Sequence, residues 1–129
     1  MLQAKKYTAQ LSLLTLLISL SAPSVFAADA NAGADSFDSN CADCHSVAKP
    51  AKNKKGPSLL GIVGRTSASV AGYNYSDAMR AANLTWTSEK LDAYITNPKV
   101  VVPNDKMKFK GMPSAEERAN LIEFLLNQQ

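Results

Sequence analysis

Cys41-Ala42-Asp43-Cys44-His45 places two thiols and an imidazole within five residues. A C-x-x-C-H run is the attachment signature of a c-type haem. Each thiol can form a thioether with one porphyrin vinyl group, and the adjacent imidazole can bind the iron from one face. The chain holds two cysteines and one histidine in 129 residues, and all three lie in this pentapeptide. A tetrahedral zinc site needs four ligands, usually Cys or His, so three are too few. A thioredoxin-like pair needs a strand–helix context, whereas the flanking residues are polar and alanine-rich with no strand pattern. A Cys41–Cys44 disulfide would close a two-residue loop and leave His45 unexplained. The reading is one haem c, covalently attached through Cys41 and Cys44, with His45 on the iron.

A single histidine rules out a second imidazole on the other face. Either a methionine fills the sixth position, or that position is open or weakly held. A Met/His pair raises the reduction potential and suits electron transfer, whereas an open position permits binding or activation of small ligands. Beyond the initiator the methionines are Met79, Met107 and Met112. Methionine is most often adaptable core filler, and Met79 lies in a helix-like run where that role fits. Met107 and Met112 share one loop, and spacing alone does not choose between them.

The N-terminus has the layout of an export signal. Lys5 and Lys6 form a basic region, Leu11 to Leu20 an apolar core of ten residues, and Val25-Phe26-Ala27 a small-residue cleavage box. Cleavage is expected after Ala27, so residues 1–27 are read as a secretory signal peptide and 28–129 as the functional domain. Tyr7 to Ala28 is uncharged for 22 residues, the length of a retained membrane anchor, but the short core and cleavage box favour removal. Export to the periplasm fits covalent haem attachment, which bacteria carry out outside the cytoplasm. The remaining 102 residues make one small domain, limited in the apolar surface it can bury by itself. A haem adds a large apolar component tied to the chain, so the apo-protein is expected to be largely unfolded.

The elements that must position these groups read as helices at the ends and loops between. Asp29 is placed to cap a first helix running to about Cys41, with Gly33 and Phe37 one turn apart. Ser46 to Tyr75, rich in Gly, Pro, Lys and Ser, reads as a long loop, unusual in a compact domain unless it wraps something. Ser76 caps a short helix over Asp77 to Ala82, ended by Asn83. A third helix runs from near Thr87 to Asn97, where Pro98 disfavours continuation. A second loop spans Lys99 to Pro113, and within it Val100-Val101-Val102, bracketed by Pro98 and Pro103, is the one strand candidate. Ser114-Ala115-Glu116-Glu117 is a capping box opening a last helix with a broad stripe of Leu121, Ile122, Phe124, Leu125 and Leu126. The fold class is all-α.

From Gly33 to the C-terminus the chain resembles a class I cytochrome c, close to the mitochondrial type and its bacterial periplasmic c2-like relatives. The resemblance rests on motifs in order: Gly33-x-x-x-Phe37, Cys41 to His45, Gly56-Pro57-Ser58-Leu59, Gly64-Arg65, Gly72 to Ala78, Trp86, Tyr94, Asn97-Pro98 and Lys106-Met107-Lys108-Phe109-x-Gly111. It implies three to five helices wrapped around the covalent haem. It implies Met107 as the second axial ligand, with Met112 where the family often has an aliphatic residue. Pro57 resembles the residue whose carbonyl accepts the second imidazole N–H of His45, which orients the ring and tunes its basicity. Arg65, Tyr75 and Trp86 resemble haem-propionate partners, and Tyr94 the tyrosine whose hydroxyl points towards the axial sulfur. Gly33, Phe37, Leu121 and Phe124 resemble the crossing of the terminal helices. Met79 departs from the pattern: the mitochondrial type has an asparagine there, in a polar network that a thioether does not reproduce.

Formal net charge is +3, and +1 once Lys5 and Lys6 are removed, so bulk charge says little. Its distribution says more. Lys49, Lys52, Lys54, Lys55 and Arg65 lie in one acid-free run, and Lys99, Lys106, Lys108 and Lys110 share the second loop with Asp105 alone. Acids collect at the ends: Asp29, Asp35, Asp38 and Asp43, then Glu116, Glu117 and Glu123. Lysines around a haem edge would steer acidic redox partners without tight binding. The compartment and near-neutral charge argue against nucleic acid, and membrane contact is expected only through partner complexes. The expected function is a monomeric periplasmic electron carrier rather than an enzyme. Its family-implied donor is a bc1-type complex, and its acceptor an oxidase, photosynthetic reaction centre or peroxidase. The rival is a small haem peroxidase or ligand sensor with an open sixth position, against which stands the lack of a second, distal histidine.

Overall fold

The computed structural model describes residues 26–129, so the proposed signal segment lies almost wholly outside the described residues. Five helices occur in it: α1 (Ala30–Asn40), α2 (Asp77–Ala82), α3 (Ser88–Thr96), α4 (Pro98–Val101) and α5 (Ala115–Leu126). The one extended pairing among the described residues is an isolated antiparallel bridge between Thr66 and Thr85.

Local chemistry sets most helix ends. The Asp29 carboxylate accepts from the Asn31 N–H at 2.8 Å and starts α1. Ser76, Thr87 and Ser114 do the same for α2, α3 and α5, their hydroxyls accepting from the N–H groups of Met79, Lys90 and Glu117. Such caps satisfy donors that a helix start otherwise leaves unpaired. Asn83, in the left-handed region at φ 48°, closes α2.

The terminal helices cross and form the base of the fold. A Cβ on Gly33 would lie 2.6 Å from the Asn120 carbonyl carbon and 2.8 Å from Phe124 Cβ, so the crossing is closed around a residue with no side chain. Phe37 and Phe124 meet beside it with ring centroids 5.4 Å apart. Helix α3 packs on α5. There the Arg118 Nε donates to Asp92 at 2.7 Å, while its Nη1 donates to the carbonyls of Met112 (2.9 Å) and Pro113 (2.8 Å). One guanidinium thereby holds α3, α5 and the end of the second loop together. Leu91, Tyr94, Ile95, Val102, Met112, Leu121, Ile122 and Leu125 form the buried interior with Phe37, Ile62, Met79 and Trp86.

The second loop differs from its sequence reading at its start. Pro98 to Val101 form a short helix, not loop or strand. Pro98 sits at the first helical position, where its missing N–H costs nothing and its fixed φ suits the turn. The Val102 N–H then closes the turn on the Pro98 carbonyl at 2.9 Å. Among the described residues, no helix is long and apolar enough to cross a membrane.

Candidate functional site

Cys41 caps the C-terminal end of α1, its N–H bonded to the Phe37 carbonyl at 2.8 Å. The next turn is closed by Cys44 and His45 N–H groups on the Cys41 carbonyl, at 3.0 and 2.8 Å. The pentapeptide is therefore a hydrogen-bonded continuation of the helix end, which fixes the order and spacing of its three side chains. Cys41 is half-buried and Cys44 exposed. Burial, with Cys44 adding to it, pushes the Cys41 thiol up to about 11.

The imidazole of His45 is oriented by the backbone. Nδ1 lies 2.8 Å from the Pro57 carbonyl oxygen. A carbonyl can only accept, so Nδ1 carries the proton and Nε2 keeps its lone pair. Burial holds the ring below the usual histidine range; the Pro57 carbonyl opposes this, and Lys54 adds a smaller push in the same direction as burial. Gly56 is buried beneath the ring, where a Cβ would come within 2.5 Å of Cε1 and 2.8 Å of Nδ1. Backbone bonds from Gly56 N–H to the Cys44 carbonyl (2.7 Å) and from Leu59 N–H to the Ser46 carbonyl (2.8 Å) pin this loop to the pentapeptide.

Arg65 and Trp86 are brought together by the extended pairing. Trp86 N–H donates to the Arg65 carbonyl at 2.9 Å and Gly64 N–H to the Trp86 carbonyl at 2.8 Å. The Arg65 guanidinium reaches back to the carbonyls of Leu60 (2.7 Å) and Ser58 (2.8 Å). Tyr75 lies close enough for the two side chains to influence one another electrostatically, burial being the larger effect on each. The Tyr75 hydroxyl accepts from the Val70 N–H at 3.3 Å. Trp86 is buried against Tyr94, ring centroids 4.9 Å apart.

The three methionines separate by environment. Met79 and Met112 belong to the buried core, Met112 with 3 % exposure, whereas Met107 is half-buried against its edge. The Tyr94 hydroxyl donates to Asp105 Oδ2 at 2.5 Å. Its acceptor is the buried carboxylate two residues before Met107. Burial first, and Asp105 second, raise the Tyr94 phenol well above its ordinary range, so it stays a donor. The other carboxylate oxygen pairs with Lys99 Nζ, which also donates to the Asp105 backbone carbonyl at 2.7 Å. Sequence reasoning passed over Asp105 and Lys99 as members of the site. The available clue was that Asp105 is the sole acid in a basic loop.

These residues suit a covalently held haem in three respects. The imidazole commits Nδ1 to a carbonyl and leaves Nε2 available, the cysteines lie in a fixed turn beside it, and the glycine under the ring leaves room for it. No cluster of three or more His, Cys, Asp or Glu side chains suited to a metal ion occurs among the described residues.

Comparison with known proteins agrees with this donor set. A family model described as cytochrome c matches residues 30–129. The chain is 44 % identical over 103 residues to a protein of Rhodobacter capsulatus named cytochrome c-type cyt cy, covering 80 % of this chain and 51 % of that protein. It thus spans about half the length of that relative. It is 43 % identical to cytochrome c of Guizotia abyssinica, over 77 % of this chain and 89 % of the plant protein. With cytochrome c of Gibberella zeae it shares 42 % identity, over 75 % and 92 % of the respective chains.

Proposed function

The chain belongs to the cytochrome c family, and from that premise we propose that it is a periplasmic carrier in which His45 and Met107 are the axial ligands. The coarser part is a property of the family: an electron-transfer c-type cytochrome with covalent haem c, not an enzyme. Cys41 and Cys44 supply the two thioether attachments. Bound there, the haem supplies a one-electron Fe(III)/Fe(II) couple.

The observation that carries the ligand assignment is the contrast between the two loop methionines. Met112 is committed to the interior by packing and by the bond from its N–H to the Ile95 carbonyl at 2.8 Å, whereas Met107 is half-buried. On the other side, the Pro57 carbonyl holds the His45 proton on Nδ1 and leaves Nε2 for the iron. Arg65 and Trp86, adjacent through the extended pairing, and Tyr75, close to Arg65, are proposed as the partners of the propionates. Two strong ligands held by packed elements suit a centre that changes charge without changing shape. Carbon monoxide tests this against an open-site enzyme or sensor: the reduced protein should bind it slowly or not at all at neutral pH, and rapid binding refutes the carrier reading.

The periplasmic location rests on the N-terminal charge and apolar pattern. Intact mass of the protein from its native host should start at Ala28; a full-length chain in membranes after a salt wash would replace the exported carrier with an anchored one. The proposed partners are acidic docking faces, with a bc1-type complex as donor and an oxidase, reaction centre or peroxidase as acceptor. Steady electron flow from donor to acceptor through the purified protein is the measurement that selects among them.

A further inference from the structure

We propose that Asp105 is a positioning residue for Met107, holding the ligand-bearing loop against α3 and α4 through one carboxylate shared by Tyr94 and Lys99. The inference rests on Met107 being the axial ligand.

The Asp105 side chain is 1 % exposed. A carboxylate that deep is costly unless both oxygens are engaged. Both are: Oδ2 accepts from the Tyr94 hydroxyl on α3, and Oδ1 pairs with the Lys99 ammonium on α4. Lys99 is itself half-exposed, so the pair draws a solvated cation onto a buried anion and caps it. Tyr94 is braced in turn by the Trp86 ring. The Asp105 N–H also reaches the Val102 carbonyl at 3.3 Å, and Val102 is among the most buried residues of the chain.

Fixed points therefore cluster immediately before Met107. Lys106, its neighbour, donates through Nζ to the Asn74 carbonyl at 2.6 Å. Beyond it, Phe109 packs partly buried against the core, and at Gly111 a Cβ would lie 3.0 Å from the Thr96 carbonyl carbon, with φ at +115°. Lys108 and Lys110, between these anchors, are exposed. The side chain at 107 is thus placed by a stretch whose N-terminal end is pinned through Asp105. Losing that pin should let the loop yield, and a competing ligand would take the iron more easily.

The test uses the ferric holoprotein at one neutral pH, reading the iron–sulfur absorption band and the affinity for added imidazole, which competes with the methionine. Met107→Ala should abolish the band. Asp105→Ala should bind imidazole about tenfold more tightly than wild type, a fraction of what breaking a buried pair costs. Tyr94→Phe should also tighten binding, and the two effects should be non-additive because they break one interaction. Asp105→Asn, which keeps an acceptor for Tyr94 but loses the ion pair, should fall between; with Tyr94→Phe it carries the test if Asp105→Ala does not fold. A merely structural Asp105 would lower the denaturant midpoint and leave imidazole affinity of the folded protein unchanged, and that result overturns the inference. A wild-type protein without the band, or Met107→Ala retaining it, refutes the ligand assignment first. A Met107-dependent band insensitive to Asp105 and Tyr94 refutes the positioning role alone.

Discussion

The imidazole of His45 has one nitrogen committed to a backbone carbonyl and one left over. That division follows from Pro57, whose carbonyl stands 2.8 Å from Nδ1, and from Gly56, whose missing side chain lets the ring lie against the loop. Gly56→Ala should push the ring off that carbonyl, at a cost of about 1–3 kcal/mol of overpacking. Guanidinium unfolding of the holoprotein measures it, and an unchanged midpoint would mean the loop yields freely. The methionines offer a sharper contrast. Met107→Ala should remove the iron–sulfur band with a small effect on packing, since Met107 is half-buried. Met112→Ala should keep the band and lose about 2–5 kcal/mol of stability, as core truncations do. Reversal of the two outcomes would exchange their roles. The pentapeptide was legible in the sequence because covalent attachment demands adjacent residues, and adjacency is what a sequence records. Asp105 was not, because its partners come from residues 94 and 99, folded back by α4, a short helix that the residue pattern concealed. Only its isolation among lysines hinted at a buried charge.

Elements were legible where a side chain closes its own helix. Asp29, Ser76 and Ser114 each cap the helix that the sequence assigned to them, and Thr87 caps the helix expected to start near it. Helix α4 was hidden because three consecutive valines suggest an extended segment, whereas Pro98 and the packing of buried Val102 select a turn of helix. The crossing of α1 and α5 shows the stronger form of the same dependence on neighbours. At Gly33 the approaching group is the backbone of Asn120, which has no rotamer to change. The Asn120 side chain meanwhile accepts from the Asp29 N–H at 2.8 Å, so the two helices are also tied at the α1 cap. Gly33→Ala must therefore part the helices rather than merely repack a side chain. A loss at or above the roughly 1–3 kcal/mol typical of overpacking is expected. Chemical denaturation with Asp38→Ala, at an exposed position of α1, as a control for helix propensity would measure it. A Gly33→Ala protein as stable as wild type would show that the crossing has slack.

Charge belongs to the whole molecule, because only the fold decides which charges share a side. Helices α1 and α5 pack together and carry Asp35, Asp38, Glu116, Glu117 and Glu123. Most of the basic residues lie on or beside the loops that bear His45 and Met107, with Arg80, Lys90 and Arg118 on helices α2, α3 and α5. One of these charges is offset within the fold, Lys99 by Asp105, whereas Lys54 and Lys106 bond the carbonyls of Ala42 and Asn74 and keep their charge. Lys49, Lys52, Lys55, Lys108 and Lys110 are exposed. If encounter with an acidic partner is steered by this placement, the bimolecular electron-transfer rate should fall as salt rises. The Debye length shrinks from about 10 Å at 0.1 M to about 3 Å at 1 M, so most of the effect should be gone at the upper end. Lys108→Glu should slow the reaction several-fold at low salt, a part of the roughly 10- to 1000-fold total that steering supplies. Lys90→Glu, on α3 beside the acidic Glu89 and Asp92, makes the same change in net charge away from the loops. It should slow the reaction far less. Equal slowing by both variants would show that net charge acts without regard to placement. Convergence of Lys108→Glu with wild type at high salt, with Lys90→Glu near wild type throughout, would locate recognition on the loops that bear His45 and Met107.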